Sequence, residues 1–338
     1  MINRPDFKLE DFWSAKKEGE RVRFLLNFAV LAPSNHNTQP WLFRTGDNYI
    51  EVYGNEARTL KASDSDGRQF FISIGCAIEN ILVASDYYGL NALVTYFPET
   101  SEPLFVSRIE FSQKNPQTKP EGNSLAGAIL WRHVNRSDYA DRAVPGDFVA
   151  TMKNNENQDL KIDFVSDKKL RQSLIKICGE ATEAAFSDAD FTEELSRWFR
   201  PSLSRFRDGM PGYNIGVPKL VSFFMPFIIR HFNISRSRRK AIEKMLLASP
   251  AFVVISTKGD APLDWVKSGM VFENIALGAS LNGLKTSPLA APIQIGEFFR
   301  EVQRTLKLTL RPQVFFRIGY SDKIPMFSPR LNVKDVVV

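Results

Sequence analysis

Apolar and polar positions along the chain sort it into helical and extended stretches. Residues 19–31 place Val22, Leu25, Leu26 and Ala29 on one face at helical spacing. That helix is expected to stop before Pro33, because a proline disfavours helical geometry in the residue preceding it. The apolar runs Trp41–Arg44 and Tyr49–Tyr53 flank Gly46, Asp47 and Asn48 and predict a hairpin. Residues 112–123, polar with two prolines, and residues 153–159 read as connections. The run from Val314 to Tyr320 reads as a buried strand. The longest apolar stretch, Leu220 to Ile229, is broken by Pro226 and falls short of the roughly 20 residues a membrane helix needs.

The pattern repeats itself. Residues 75–91 and 269–285 align without a gap, 194 positions apart, and share Gly75/Gly269, Glu79/Glu273, Asn80/Asn274, Ile81/Ile275, Gly89/Gly283 and Leu90/Leu284. In both copies an apolar helix runs to a Gly-Leu stop and an extended segment follows. Duplication explains this better than two unrelated buried helices. It predicts an α+β fold of two sheet-and-helix halves packed about a pseudo-twofold axis, as in a homodimer. The halves are expected at 1–120 and 121–338. Within the second, residues 187–247 are aromatic and broken by Gly and Pro, which suits either a lid over a pocket or a helical hairpin that extends the core. The basic run 235–240 reads as a solvated helix face.

Composition narrows the chemistry. The chain has 338 residues, 43% apolar and 24% charged, which suits a folded globular protein. Lys and Arg exceed Asp and Glu by 44 to 38, a net +6 compatible with an anionic ligand. Two cysteines, Cys76 and Cys178, exclude a disulfide framework and a cysteine zinc site and read as core residues. The three histidines form no metalloprotease pair, and no metal is expected. No signal-peptide pattern opens the chain, so a cytoplasmic location is expected. No membrane or nucleic-acid partner is expected, since no aromatic nucleic-acid module accompanies the basic run.

One segment concentrates polar side chains. Residues 32–41, Ala-Pro-Ser-Asn-His-Asn-Thr-Gln-Pro-Trp, offer a hydroxyl, an imidazole and three side-chain amides between a helix and a strand. Such groups can satisfy a heterocycle or a ribityl chain, or simply one another in a turn. The segment resembles the P-S-x-x-N-x-Q-P-W signature of FMN-dependent nitroreductases through Pro33, Ser34, Asn37, Gln39, Pro40 and Trp41. A second segment, Trp131 to Tyr139, is similar to the family's flavin-gripping opening, with Arg132 and Arg136 at its two cationic positions, His133 between them and Val134 where a hydroxyl is usual. The resemblance implies Arg132 at the phosphate and ribityl and Arg136 near the flavin N1 and O2. A third segment, Gly283 to Pro292, implies a backbone N–H at flavin N5, with Ala290 the nearest equivalent and Leu289 beside it. Ser328 and Arg330 match a late phosphate-binding position. Asn35 completes the expected cofactor-binding set.

The resemblance spans about residues 20–330 and is closest to a long two-half subgroup that includes the mycobacterial Acg proteins. It implies one complete FMN site built from both halves and a degenerate second site. Its implied activity is electron transfer from NADH or NADPH through FMN to a small nitroaromatic, quinone or similar acceptor, with no catalytic side chain nominated. Its alternative is an FMN-sequestering protein in which Tyr213, Phe223 or Phe224 of the lid covers the flavin. A monomer with internal symmetry or a homodimer would suit either.

Overall fold

The computed structural model describes residues 6–113 and 124–338, so the expected boundary at 120/121 and most of the 112–123 connection lie outside the described residues. The expected hairpin forms from β1 (Trp41–Thr45) and β2 (Tyr49–Gly54), turning at residues 46–48. With β3 (Leu90–Tyr96) and β4 (Phe105–Gln113) it makes an antiparallel sheet of order β1-β2-β4-β3. The helix expected over 19–31 forms as Glu18–Phe24 and Leu26–Ala29, ending before Pro33.

The second half repeats this plan. After β5 (Leu160–Val165) comes the 187–247 excursion, which holds a short parallel pair, β6 (Phe199–Arg200) and β7 (Met210–Pro211). Then follow β8 (Ala251–Thr257), β9 (Leu284–Pro288) and β10 (Arg311–Tyr320). The sheet order is β5-β8-β10-β9, again antiparallel throughout. Strand for strand this matches the first sheet, with one long helix between the second and third strands of each copy in chain order.

Those two helices, Arg68–Tyr87 and Pro262–Leu281, are the repeated segments, and they pack on each other at the centre of the fold. The first is long and apolar enough by length and composition to cross a membrane, yet it is mostly buried here. A helix that is apolar all round needs protein on every side, and the other copy supplies one side. The crossing is reciprocal. A Cβ on Gly75 would stand 2.0 Å from the Val266 carbonyl oxygen, and one on Gly269 would stand 2.0 Å from the Ile72 carbonyl oxygen. Ile72 and Val266 are themselves 194 residues apart. Only glycine lets the backbones approach this closely, so the repeat's shared glycines are the contact itself.

Two strand-edge pairings bring distant segments to one place. Val336 to Val338 lie along β1, with the Phe43 N–H donating to the Val336 carbonyl at 2.8 Å and the Val338 N–H to the Phe43 carbonyl at 2.9 Å. This carries Ser328–Arg330 across to the first half. Val134 bridges Thr286 on β9, and the Asn135 N–H donates to the Thr286 carbonyl at 3.0 Å, which carries Arg132–Arg136 to the same region.

Candidate functional site

Three adjoining chambers lie between the halves and share His36, Arg136 and Met210 as walls. The first, about 130 Å³, is lined by Pro33, Ser34, Asn35, Leu289, Ala290 and both repeat helices through Cys76 and Phe272. The second, about 60 Å³, adds Asn37, Arg132, His133, Asn214, Ser328 and Arg330. The third, about 220 Å³, lies under the 187–247 excursion and is walled mainly by its apolar side chains.

The loop 34–39 is held in an uncommon shape. His36, Asn37 and Gln39 have φ of 47°, 56° and 53°, in the left-handed region that costs a residue with a Cβ roughly 1–2 kcal/mol. The Ser34 hydroxyl accepts from the Gln39 N–H at 2.9 Å and braces the turn. His36 is thereby turned into the cavity, where burial lowers its pKa to about 4, so its ring is neutral at physiological pH. Its Nδ1 and the amide Nδ2 of Asn35 are buried without a hydrogen-bond partner. Two orphaned polar atoms in one cavity wall are an opening for a polar ligand.

The other two amides of the motif face the excursion. Asn37 Nδ2 donates to the carbonyls of Gly209 and Pro329 at 3.0 and 3.1 Å, and its Oδ1 accepts from Arg330 at 2.8 Å. Gln39 is fully buried; its Nε2 donates to the Arg207 carbonyl at 2.8 Å and its Oε1 accepts from the Leu331 N–H at 2.8 Å. The structure therefore gives both side chains to fastening the excursion and the C-terminal segment, although Asn37 also lines the second chamber.

The two expected arginines meet different fates. Arg132 is buried with its Nε 2.9 Å from Glu273 and its Nη2 donating to the Leu31 carbonyl at 3.0 Å. Burial pushes Glu273 up to about 7 against the pull of Arg132. Arg136 has no protein hydrogen bond or ion pair among the described residues, yet it lines all three chambers. Burial, then the charges of Arg238 and Arg317, lower it to about 10, so it stays cationic. Its backbone is clamped on both sides. Arg317 Nη2 donates to the carbonyls of Asn135 and Ser137 at 3.0 and 2.7 Å, and the Tyr139 hydroxyl donates to the Asn135 carbonyl at 2.9 Å. A rigid base thus presents an unpaired guanidinium to the cavity.

The remaining expected residues also reach the chambers. Leu289 uses its N–H on the Phe315 carbonyl at 2.9 Å, whereas the Ala290 N–H makes no hydrogen bond among the described residues. The Ser328 hydroxyl accepts from Asn214 at 2.6 Å, and Arg330 is buried behind Asn37. His133 Nδ1 lies 2.8 Å from the Trp131 carbonyl, with its ring edge-on to Phe327.

The excursion covers the third chamber as a lid does, with the helices Ala189–Trp198, Met225–His231 and Ser235–Leu247. Phe191, Leu195, Phe199 and Ile229 form its inner cluster. Phe223 and Phe224, expected over a flavin, point outward instead, because the turn at 221–223 buries Ser222 and leaves its flanking rings in solvent. The Tyr213 hydroxyl donates to the Phe327 carbonyl at 3.3 Å. Sequence reasoning missed Met210, which touches every chamber, and Arg238, which leaves the solvated basic run to line the third. No local pattern singles out either; both are placed by the lid's path.

No family model matches the chain. Relatives matched over nearly their whole length do, among them the following two. It is 26% identical over 342 residues to "Putative NAD(P)H nitroreductase Rv3131" of Mycobacterium tuberculosis strain H37Rv, spanning 95% of this chain and 92% of that protein. It is 24% identical over 331 residues to "Putative NAD(P)H nitroreductase acg" of the same strain, spanning 93% and 94%. Among solved structures, the FMN and NADPH-dependent nitroreductase NfnB from Sphigopyxis sp. strain HMH aligns at 17% identity over 64% of this chain and 98% of that one, with a TM-score of 0.43. Over nearly its whole length, then, the chain is a relative of the mycobacterial proteins bearing the NAD(P)H nitroreductase name, Acg among them, and its fold is nitroreductase-like.

Proposed function

We propose that the cavity between the halves holds FMN and that the protein is an FMN-dependent NAD(P)H oxidoreductase acting on nitroaromatic, quinone or similar small acceptors. The observation that carries this is Arg136, a clamped, unpaired guanidinium facing the cavity between the halves beside the unbonded Ala290 N–H and the orphaned Asn35 amide. A guanidinium that lines a cavity with no counter-charge from the chain suits an anionic ligand, and FMN carries an anionic phosphate and a ring that gains negative charge on reduction. The full-length relatives bear the NAD(P)H nitroreductase name, and NfnB is named as FMN and NADPH-dependent.

In this reading Pro33, Ser34 and Asn35 of the first half and Leu289 and Ala290 of the second line the ring end. Arg330, Ser328, His133 and Arg132 line the phosphate end, with Asn37 and Gln39 holding loop and lid in register. Arg136 stands between the ends and stabilises negative charge on the pyrimidine side. Bound FMN would supply the hydride and electron transfer. The chain supplies position and charge and, through the lid's apolar inner face, keeps water out. The halves, 1–120 and 121–338, each contribute walls, so one chain completes one site, working as a monomer or within a homodimer in the cytoplasm.

The lid's fastenings favour a second reading, an FMN-sequestering protein. Asp208 pairs with Arg58 and Arg200 at 3.1 and 2.9 Å, and Arg207 donates to Asn332 at 2.7 Å. A visible spectrum of the purified protein, before and after anaerobic NADPH and then NADH, separates the two. Flavin bands that bleach with either nucleotide support the reductase. Bands that bleach only with dithionite support sequestration. No bands, even after added FMN, overturn both.

A further inference from the structure

The lid chamber holds a charge that the flavin reading does not use. In the basic run, Arg239 takes the acidic partners, at 2.9 Å from Glu183, 2.8 Å from Glu243 and 3.6 Å from Glu180. Arg236 is exposed, 3.9 Å from Glu183. Arg238 turns the other way and lines the lid chamber with Arg136. Its Nε is buried without a hydrogen-bond partner, and its guanidinium lies 5.7 Å from the centre of the Phe186 ring. No carboxylate pairs with Arg238 or Arg136 among the described residues. The remaining walls are apolar, with Phe191, Leu195, Phe199 and Ile229 prominent. Arg330 and Ser328, at the opposite end of the cavity, line a chamber that Arg238 does not reach. A second unpaired guanidinium among aromatic and aliphatic side chains calls for a ligand with an anionic group on an apolar body.

We propose that the lid chamber selects small aromatic anions, with the anionic group held by Arg238 opposite Arg136. That such a molecule serves as electron acceptor rests on the FMN reading, whereas its binding does not. Calorimetric titration of the purified protein with 4-nitrobenzoate and with nitrobenzene, which differ only in the carboxylate, tests the proposal. The wild type should bind the anion at least about tenfold more tightly. Arg238→Gln should erase that preference, Arg238→Lys should keep part of it, and Arg236→Gln should keep all of it. Equal affinities in the wild type, or a preference that survives Arg238→Gln, would overturn the proposal. So would a wild-type protein that ignores 4-nitrobenzoate but loses discrimination of NADPH from NADH in Arg238→Gln, because Arg238 would then be reading a nucleotide phosphate. Visible spectra of the same samples keep the two readings apart: a colourless protein that still prefers the anion breaks the flavin reading and leaves this one standing.

The lid's outer face carries an independent feature. Leu220, Phe223, Phe224, Phe227 and Phe232 are 77%, 51%, 67%, 59% and 59% exposed within thirteen positions. The stretch 209–242 contains no Asp or Glu, and Lys219, Arg236 and Lys240 within it are exposed. Self-pairing of this face would set cations against cations, whereas an anionic lipid surface takes both the rings and the charges. We infer that the lid seats on anionic membrane surfaces. Co-sedimentation with phosphatidylcholine vesicles, with and without about 30 mol% phosphatidylglycerol, should show binding only to the anionic set, weakened by salt. Phe224→Ser with Phe227→Ser should lower it about tenfold. Absence of binding to anionic vesicles, or a dimer in sedimentation equilibrium that the double variant dissolves, would overturn the inference.

Discussion

The duplicated halves treat equivalent positions in opposite ways. Ala290 stands two residues past the end of β9, and its counterpart 194 residues earlier is Tyr96, the last residue of β3. Ala290 leaves space beside the first chamber, whereas Tyr96 fills its own, with the phenol donating to the Met270 sulfur at 3.2 Å. Met270 is itself the counterpart of Cys76, which lines the open side. Around Tyr96 the closed side adds Phe97, Phe71 and Trp265 in edge and tilted contacts. The arginines of the two sides differ too. Arg68, buried and stacked 4.8 Å from the Trp265 ring, is balanced by Asp66 and Asp260, while Arg136 pairs with no carboxylate among the described residues. The neutralised cation sits among aromatic rings, and the bare one faces the cavity in which the flavin is proposed. The two halves share the helix crossing that both need and differ at their outer ends.

The largest effect should come from breaking the asymmetric ion pair on the repeat's shared glutamates. Glu273 has Arg132; among the described residues its counterpart Glu79 has only the Asn274 amide, at 2.9 Å. Arg132→Ala should cost about 3–5 kcal/mol of unfolding free energy at pH 8, because it strands a buried carboxylate. At pH 6 the loss should shrink, since Glu273, at about 7, takes up a proton there. A loss that is small at both pH values would mean the pair is incidental.

Next in size, the crossing itself can be tested. Gly75→Ala and Gly269→Ala each drive a methyl into a backbone carbonyl and should each cost about 3 kcal/mol. Urea unfolding of the two variants should give matching losses; a clear inequality would break the claim that the crossing is symmetric. Arg136→Ala sharpens the contrast between bare and neutralised cations. It should weaken flavin retention about 10–100-fold, the worth of a charge-assisted contact, with no loss of thermal stability. A drop in stability without a change in flavin content would make Arg136 structural.

The smallest expected effect concerns Glu79. Burial raises its pKa from 4.5 to about 7. Between those values the folded state holds a proton that the unfolded state has released, so stability falls as pH rises from about 4.5 to 7. Glu79→Gln keeps an acceptor for Asn274 and removes that slope. It should stabilise the protein by about 2 kcal/mol at pH 8 and hardly at all at pH 4, read from unfolding at both. An unchanged pH slope would show that the carboxyl titrates normally.

Much of this could be read from local pattern. The hairpin, the break before Pro33, the buried run ending at Tyr320 and the repeat each follow from spacing that neighbouring residues enforce on one another. The glycines shared by the repeat stand in the sequence, whereas their role as the helix crossing appears only in the structure. The site was legible as a set of segments: residues 33–37, 132–136, 289–290 and 328–330 all reach one cavity. The role within each segment was not. Gln39 reads as a ligand and fastens the lid, Arg132 reads as a phosphate and ribityl ligand and is paired with Glu273, and Arg238 reads as solvated and faces the chamber.

The sequence by itself determined the elements, their duplication and the chemical groups on offer, because periodicity, turn residues and glycine spacing act over a few residues. Only the tertiary structure decided which of those groups stay unpaired. Whether an arginine meets a glutamate or an empty cavity depends on segments more than a hundred residues away, brought alongside by strand edges and a helix crossing, and no local rule reports that distance.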